Sequence, residues 1–197
     1  MPGLTIEPLS IADVLLVRPH FFHDSRGRFA ETYRRDAFAV AGIAANFVQE
    51  NQSFSTRQGT IRGLHFQRPP AVQAKLVRVL RGSIFDVAVD LRAGSATFGK
   101  WVGATLTASG GEQLFIPQGF AHGFCTLEAD VEVGYKCDAY YAPAAEGGLH
   151  YADPSLAIAW PAAAGSMIAS DRDRALPYFA TFKTPFLMAG TCNDVAA

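Results

Sequence analysis

Residues 76–91 read LVRVLRGSIFDVAVDL, two short apolar runs hinged on Arg81-Gly82-Ser83. In the second run Phe85, Val87, Val89 and Leu91 alternate with Ile84, Asp86, Ala88 and Asp90. A period of two is a strand signature, because successive strand side chains point to opposite faces; here one face is the more polar. WVGATLTA, EQLFIP and VEVGYKCDAYY continue the series between turn residues. Helical pattern is scarce. DAFAVAGIAANF predicts a short helix opened by Asp36, and SDRDRALP predicts one turn after Ser170. Many short strands at close spacing predict an all-β sandwich or barrel, the jelly roll among them. Trp160-Pro161 closes the β-rich region. Beyond it Tyr178, Phe179, Phe182 and Phe186 predict a tail packed on the body, giving one domain over residues 1–187 and a frayed end over 188–197.

The chain has 197 residues, enough for one domain with a sizeable core. Hydrophobic residues make up 49% and charged residues 18%, a globular composition rather than a disordered one. A formal net charge of −1 provides no basic field to recruit nucleic acid or anionic lipid. No apolar run approaches the roughly 18 residues of a membrane span. The start, MPGLTIEPLSIADV, lacks the basic and long apolar regions of a signal peptide. Cys125, Cys137 and Cys192 match neither a zinc spacing nor a disulfide framework, which points to a reducing cytoplasm.

Three strand positions break pattern. In VEVGYKC, Tyr135 shares a face with Val131, Val133 and Cys137. A core tyrosine that merely hydrogen-bonds its hydroxyl would look the same. In AKLVRV, Lys75 shares parity with Val77 and Val79; it either snorkels to water or is held as a fixed charge beside a ligand. In GTIRGLHFQ, residues 59–67, His65 shares parity with Ile61, Gly63 and Gln67, and Arg62 falls with Leu64 and Phe66 on the other face. Both faces are mixed, as in a barrel that encloses a polar ligand, because unpaired polar groups are costly in a dry core.

In IPQGFAHGF, Pro117, Gly119 and His122 have P-x-G-x-x-H spacing, which resembles the second motif of cupin barrels. The metal-binding cupins carry H-x-H and a Glu in their first motif, where this chain reads His65-Phe66-Gln67 with no Glu soon after. Two histidines without a carboxylate fall short of the usual ligand count, so no metal is expected.

FFHDSRGRFAET, FVQENQSFS, GTIRGLHFQRPPAVQAKLVRVLRGSIFDVAVDLR, TFGKWVG, IPQGFAHGF, YKCDAYYAP, DPSLAIAWP and SDRDRALP follow in order from about residue 5 to residue 180. Together they resemble the dTDP-4-dehydrorhamnose 3,5-epimerases, cupin-fold enzymes of deoxysugar nucleotide pathways. The resemblance implies a base at His65, its carboxylate partner at Asp173, an acid at Tyr135 and a lysine near the substrate keto oxygen at Lys75. It places Arg62 and His122 in the pocket. Nucleotide and diphosphate contacts fall on Phe21, Arg26, Phe29, Glu31, Gln49, Asn51, Tyr141 and Arg172. It also implies a homodimer formed through its strands, part of each site coming from the partner's N-terminal segment. One departure is LHYADP, with His150 and Tyr151 where the family often has Trp shortly before DP.

These residue types suit the implied reaction on a dTDP-linked 4-keto-6-deoxyhexose. The ketone acidifies the hydrogens on carbons 3 and 5. Epimerisation removes one from one face and returns one to the other. Neutral imidazole accepts a proton near neutrality, and a carboxylate on its other nitrogen fixes the tautomer. Asp173 has a competing role, since Ser170 and Asp173 have capping-box spacing. Lys75 offsets charge growing on the keto oxygen, arginines suit a diphosphate, and Phe29 with Tyr141 suits a thymine ring. The substrate's own ketone is the electron sink, so no cofactor is expected. Alternatives are an epimerase acting at carbon 3 or carbon 5 alone, one using a GDP-linked sugar, a metal-dependent cupin oxygenase or isomerase, and a sugar-binding cupin without catalysis.

Overall fold

The computed structural model describes residues 3–162 and 166–188. In chain order the strands are β1 (Leu4–Pro8), β2 (Leu15–Pro19), β3 (Phe22–Asp24), β4 (Gly27–Phe29), β5 (Gln49–Ser55), β6 (Ile61–Gln67), β7 (Lys75–Arg81), β8 (Ser83–Asp90), β9 (Arg92–Ala93), β10 (Trp101–Thr107), β11 (Gln113–Ile116), β12 (Phe120–Thr126), β13 (Val131–Cys137), β14 (Glu146–Gly148) and β15 (Phe186–Leu187). The helices are short: α1 (Arg35–Val40) and α2 (Asp171–Arg174).

Two antiparallel sheets form an all-β cupin-type jelly roll. One runs β1-β2-β11-β7-β13-β5 and the other β10-β8-β12-β6-β14. The turn at Arg81-Gly82-Ser83 is therefore not a hairpin, since it carries the chain from the first sheet to the second. Between the sheets Val77, Val79, Leu114, Val131 and Val133 meet Ile84, Ala88, Leu106, Phe120 and Phe124. This buried layer fixes the spacing of the two walls.

Each sheet is also covered on part of its outer face. Phe38 and Ile43, in and just after α1, pack on Val17 and Leu76 of the six-stranded sheet. Phe179, Phe182 and Phe186 from the tail pack with Leu64, Phe66, Val87 and Val89 behind the five-stranded sheet, and β15 pairs in parallel with β9. The expected packed tail is present; the frayed end, from residue 189 onward, lies outside the described residues together with Cys192.

One local expectation changes. The helix expected to open at Asp36 begins one residue earlier, and Asp36 sits inside its first turn, its Oδ1 accepting the Ala37 N–H at 2.8 Å. The more polar face of β8 turns inward, and Asp86 and Asp90 on it are fully buried. The Asp90 carboxylate accepts from Arg92, Ser95 and Thr97. Burial pushes its carboxyl up, and those donors more than reverse the push, to about 2.

Asp90→Asn is expected to destabilise the fold at neutral pH by on the order of 1.5–3 kcal/mol, the worth of hydrogen bonds to a charged group. The folded-state pKa lies below the ordinary 3.8, so this stabilisation is complete above that value and drains away as pH falls towards about 2. Denaturant unfolding of both proteins across that range should show the gap narrowing with acid.

Candidate active site

A cavity of ≈ 480 Å³ opens between the sheets. The five-stranded sheet supplies Arg62, His65 and His122; the six-stranded sheet supplies Lys75 and Tyr135; Arg172 and Asp173 reach in from α2. A recess of ≈ 100 Å³ shares His65, Lys75 and Tyr135 and is lined further by Gln49, Asn51, Tyr141 and Glu146.

The local backbone explains how a strand presents these groups. β6 pairs with β12 at His65↔His122 and again at Arg62↔Phe124, so three steps on β6 match two on β12. This bulge corrects the parity read from sequence: Arg62 and His65 line one cavity, while Leu64 and Phe66 enter the apolar layer behind the sheet. Gly63 sits in the bulge at φ +127°, and a Cβ there would lie 2.5 Å from Gly123 Cα. Only glycine fits both the conformation and the contact.

His65 Nε2 lies 2.8 Å from Asp173 Oδ1. Asp173 is buried, and its Oδ2 accepts the Gly63 N–H at 3.3 Å. Ser170 caps α2 by accepting the Asp173 N–H at 3.1 Å. Capping and the histidine contact therefore coexist at one residue, through different atoms. Burial pushes the Asp173 carboxyl up, but the His65 hydrogen bond and charge leave it below its ordinary value.

Across the cavity, burial raises the Tyr135 hydroxyl, against the Arg62 charge and the Asn51 amide, so it stays protonated at neutral pH. Burial lowers the Lys75 ammonium, while Cys137, Asp86 and Glu146 pull it back up. Arg62 donates to Ser55 Oγ at 3.2 Å and to Phe54 O at 2.9 Å, which ties its fork to the end of β5.

Not every expected residue converges. Phe29 and Glu31 line a separate groove of ≈ 630 Å³ with Phe22 and Arg34. Arg26 is held by Asp24, its side chain 88% exposed, and Phe21 lies 4.2 Å beneath the Arg28 guanidinium. Within one chain these four residues do not meet His65. Gln67, which stands where metal cupins have a second histidine, uses its amide on Ala71 O, Tyr140 O and Ala142 N–H. That amide clamps the loops around it.

Sequence reasoning missed two acids. Glu146 accepts from Tyr141 Oη at 2.8 Å and pairs with Arg172, at the start of β14, a strand of three residues that is too short to show alternation. Asp86 lies 2.7 Å from His122 Nε2; its place among Ile84 and Ala88 on an inward face was the available clue.

Residues 8–181 match the description dTDP-4-dehydrorhamnose 3,5-epimerase. The chain belongs to that family. It is thus an isomerase-class protein, an epimerase. It is 47% identical over 171 residues to the dTDP-4-dehydrorhamnose 3,5-epimerase of Sinorhizobium fredii, covering 87% of each chain. It is 40% identical over 172 residues to a dTDP-4-dehydrorhamnose 3-epimerase of Streptomyces niveus, covering 87% of this chain and 82% of that one. A dTDP-6-deoxy-D-glucose-3,5-epimerase from Legionella pneumophila, solved in complex with dTDP-4-keto-L-rhamnose, superposes with a TM-score of 0.89 at 40% identity, covering 95% of this chain and all 100% of that one.

In this epimerase Gly63→Ala should wedge β6 from β12. A loss of about 1–3 kcal/mol is expected from overpacking, together with a fall in turnover per folded molecule as His65 shifts. Melting and specific activity measured on the same preparation check both parts.

Proposed function

We propose that this epimerase inverts carbons 3 and 5 of a dTDP-linked 4-keto-6-deoxyhexose, with His65 as base and Tyr135 as acid. The observation that carries this reading is that the His65–Asp173 pair and Tyr135 stand on opposite sheets, facing one cavity. A ring between them has one face toward each. Asp173 occupies His65 Nε2, so Nδ1 is left to take the proton from carbon. The C–H electron pair becomes the double bond of an enolate, and its oxygen takes the charge beside Lys75. The Tyr135 hydroxyl then delivers a proton to the carbon from the far side. The phenolate recovers a proton from water, and the His65 imidazolium loses one to water. Proton bookkeeping closes, and no oxidation level changes.

Inversion of carbon 3 alone is a second reading, supported by the 40% identity to the Streptomyces niveus 3-epimerase. Counting the ring positions that exchange and invert in deuterated water separates the two. The same experiment tests the roles. His65→Asn should lose at least roughly 10²–10⁴-fold in rate with little change in melting. Tyr135→Phe should keep exchange with solvent while inversion falls. Near-normal exchange in His65→Asn would remove the base assignment.

We assign Phe21, Arg26, Phe29 and Glu31 to the nucleotide end of a neighbouring subunit's site in a homodimer of single-domain chains. Their distance from their own cavity and the 69% exposure of Phe29 support this. A reducing cytoplasm suits the buried, unbridged Cys125 and Cys137. Arg26→Ala should weaken dTDP binding with unchanged melting, since a planar donor fork is what a diphosphate needs. An unaltered Kd by calorimetry would exclude Arg26 from that role.

A further inference from the structure

Two histidine–carboxylate pairs stand side by side in the cavity wall, and the reaction above uses one of them. His122 and His65 are register partners on β12 and β6. His122 Nε2 lies 2.7 Å from Asp86 Oδ1, and both side chains are buried. The second Asp86 oxygen, Oδ2, is sealed from solvent with no hydrogen-bond partner among the described residues. The contact with His122 therefore holds that carboxylate in place. His122 Nδ1 makes no hydrogen bond among the described residues and is not one of the sealed atoms, while its ring lines the cavity.

A carboxylate only accepts hydrogen bonds, so the proton sits on Nε2 and Nδ1 offers a lone pair. Burial opposes the imidazolium, and the neighbouring Lys75 charge adds to that opposition, against the pull of Asp86. His122 is thus a neutral ring with its acceptor turned to the ligand. Lys75 and Arg62 can only donate. Where the sugar stands between them, His122 is the complement for a group that must give a hydrogen bond.

We propose that Asp86 is a positioning residue that fixes His122 as an acceptor, and that His122 selects the substrate by accepting from one of the two ring hydroxyls, on carbon 2 or carbon 3. The inference rests on the substrate class proposed above. A site built around a hydroxyl discriminates against an analogue lacking it, because its own buried group is left unpaired.

The test has two arms. Nitrogen NMR of the labelled wild-type protein reads the tautomer directly and needs no substrate. His122 should show an unprotonated Nδ1 and a protonated Nε2; the opposite pattern overturns the proposal. Kinetics with the 2-deoxy and 3-deoxy analogues form the second arm. One analogue should lose about 10- to 100-fold in kcat/KM with wild type. Asp86→Asn frees the ring to take the other tautomer, so the same comparison should shrink to about 3-fold or less, and the nitrogen pattern should change. A structural role for Asp86 would lower melting and leave the analogue ratio intact. Equal handling of both analogues by wild type, or exchange lost at one carbon alone in His122→Phe, refutes acceptor selection. Absence of any hydrogen exchange in wild type would instead sink the epimerase reading and leave the tautomer result standing.

Discussion

The meeting of Gly63 and Gly123, backbone against backbone, sets the geometry on which the rest depends. With a Cβ on Gly63 only 2.5 Å from Gly123 Cα, no other residue lets β6 and β12 approach so closely. The approach accommodates the extra residue of the bulge, and the bulge turns Arg62 to the side of His65. It also leaves the Gly63 N–H free of the ladder to meet Asp173 Oδ2 at 3.3 Å. One local distortion thus orients the histidine and anchors the carboxylate that holds it.

The interior between the sheets has two kinds of lining. Apolar side chains from both sheets interlock over much of it. Around the cavity, ionisable groups stand where a core would place leucines. Each buried carboxylate there is tied to a partner: Asp86 to His122, Asp173 to His65 and Gly63. Unpaired, they would cost several kcal/mol apiece. Lys75 is treated otherwise. It has the open cavity before it; burial works against its charge, and a negative oxygen arriving there would favour the charged form.

Much of this was legible in the chain because strands alternate. The parity of Tyr135 and Lys75 with apolar neighbours singled them out, with snorkelling to water left open for Lys75, and both line the cavity. The Ser170–Asp173 spacing located α2 to the residue. Alternation failed at Arg62, since a bulge adds one residue without leaving a pattern. Asp86 sat in plain view on an inward face, but its partner comes from a strand 36 residues later, and no spacing rule links them. Glu146 depended on β14, a three-residue strand too short to leave a pattern, pairing with β6. The N-terminal residues Arg26 and Phe29 matched a resemblance, yet one chain gives them no route to the cavity.

Placing His65 on one sheet and Tyr135 on the other makes the aliphatic layer between them a spacer. Val77, Ala88, Val133 and Leu106 hold the walls apart by the thickness of their own side chains. Protein interiors pack as tightly as organic crystals, so that thickness has little give. The span a proton must be handed across is therefore written in methyl groups. A methylene added at the spacer would be felt at the sugar as a longer reach, although it never touches the ligand.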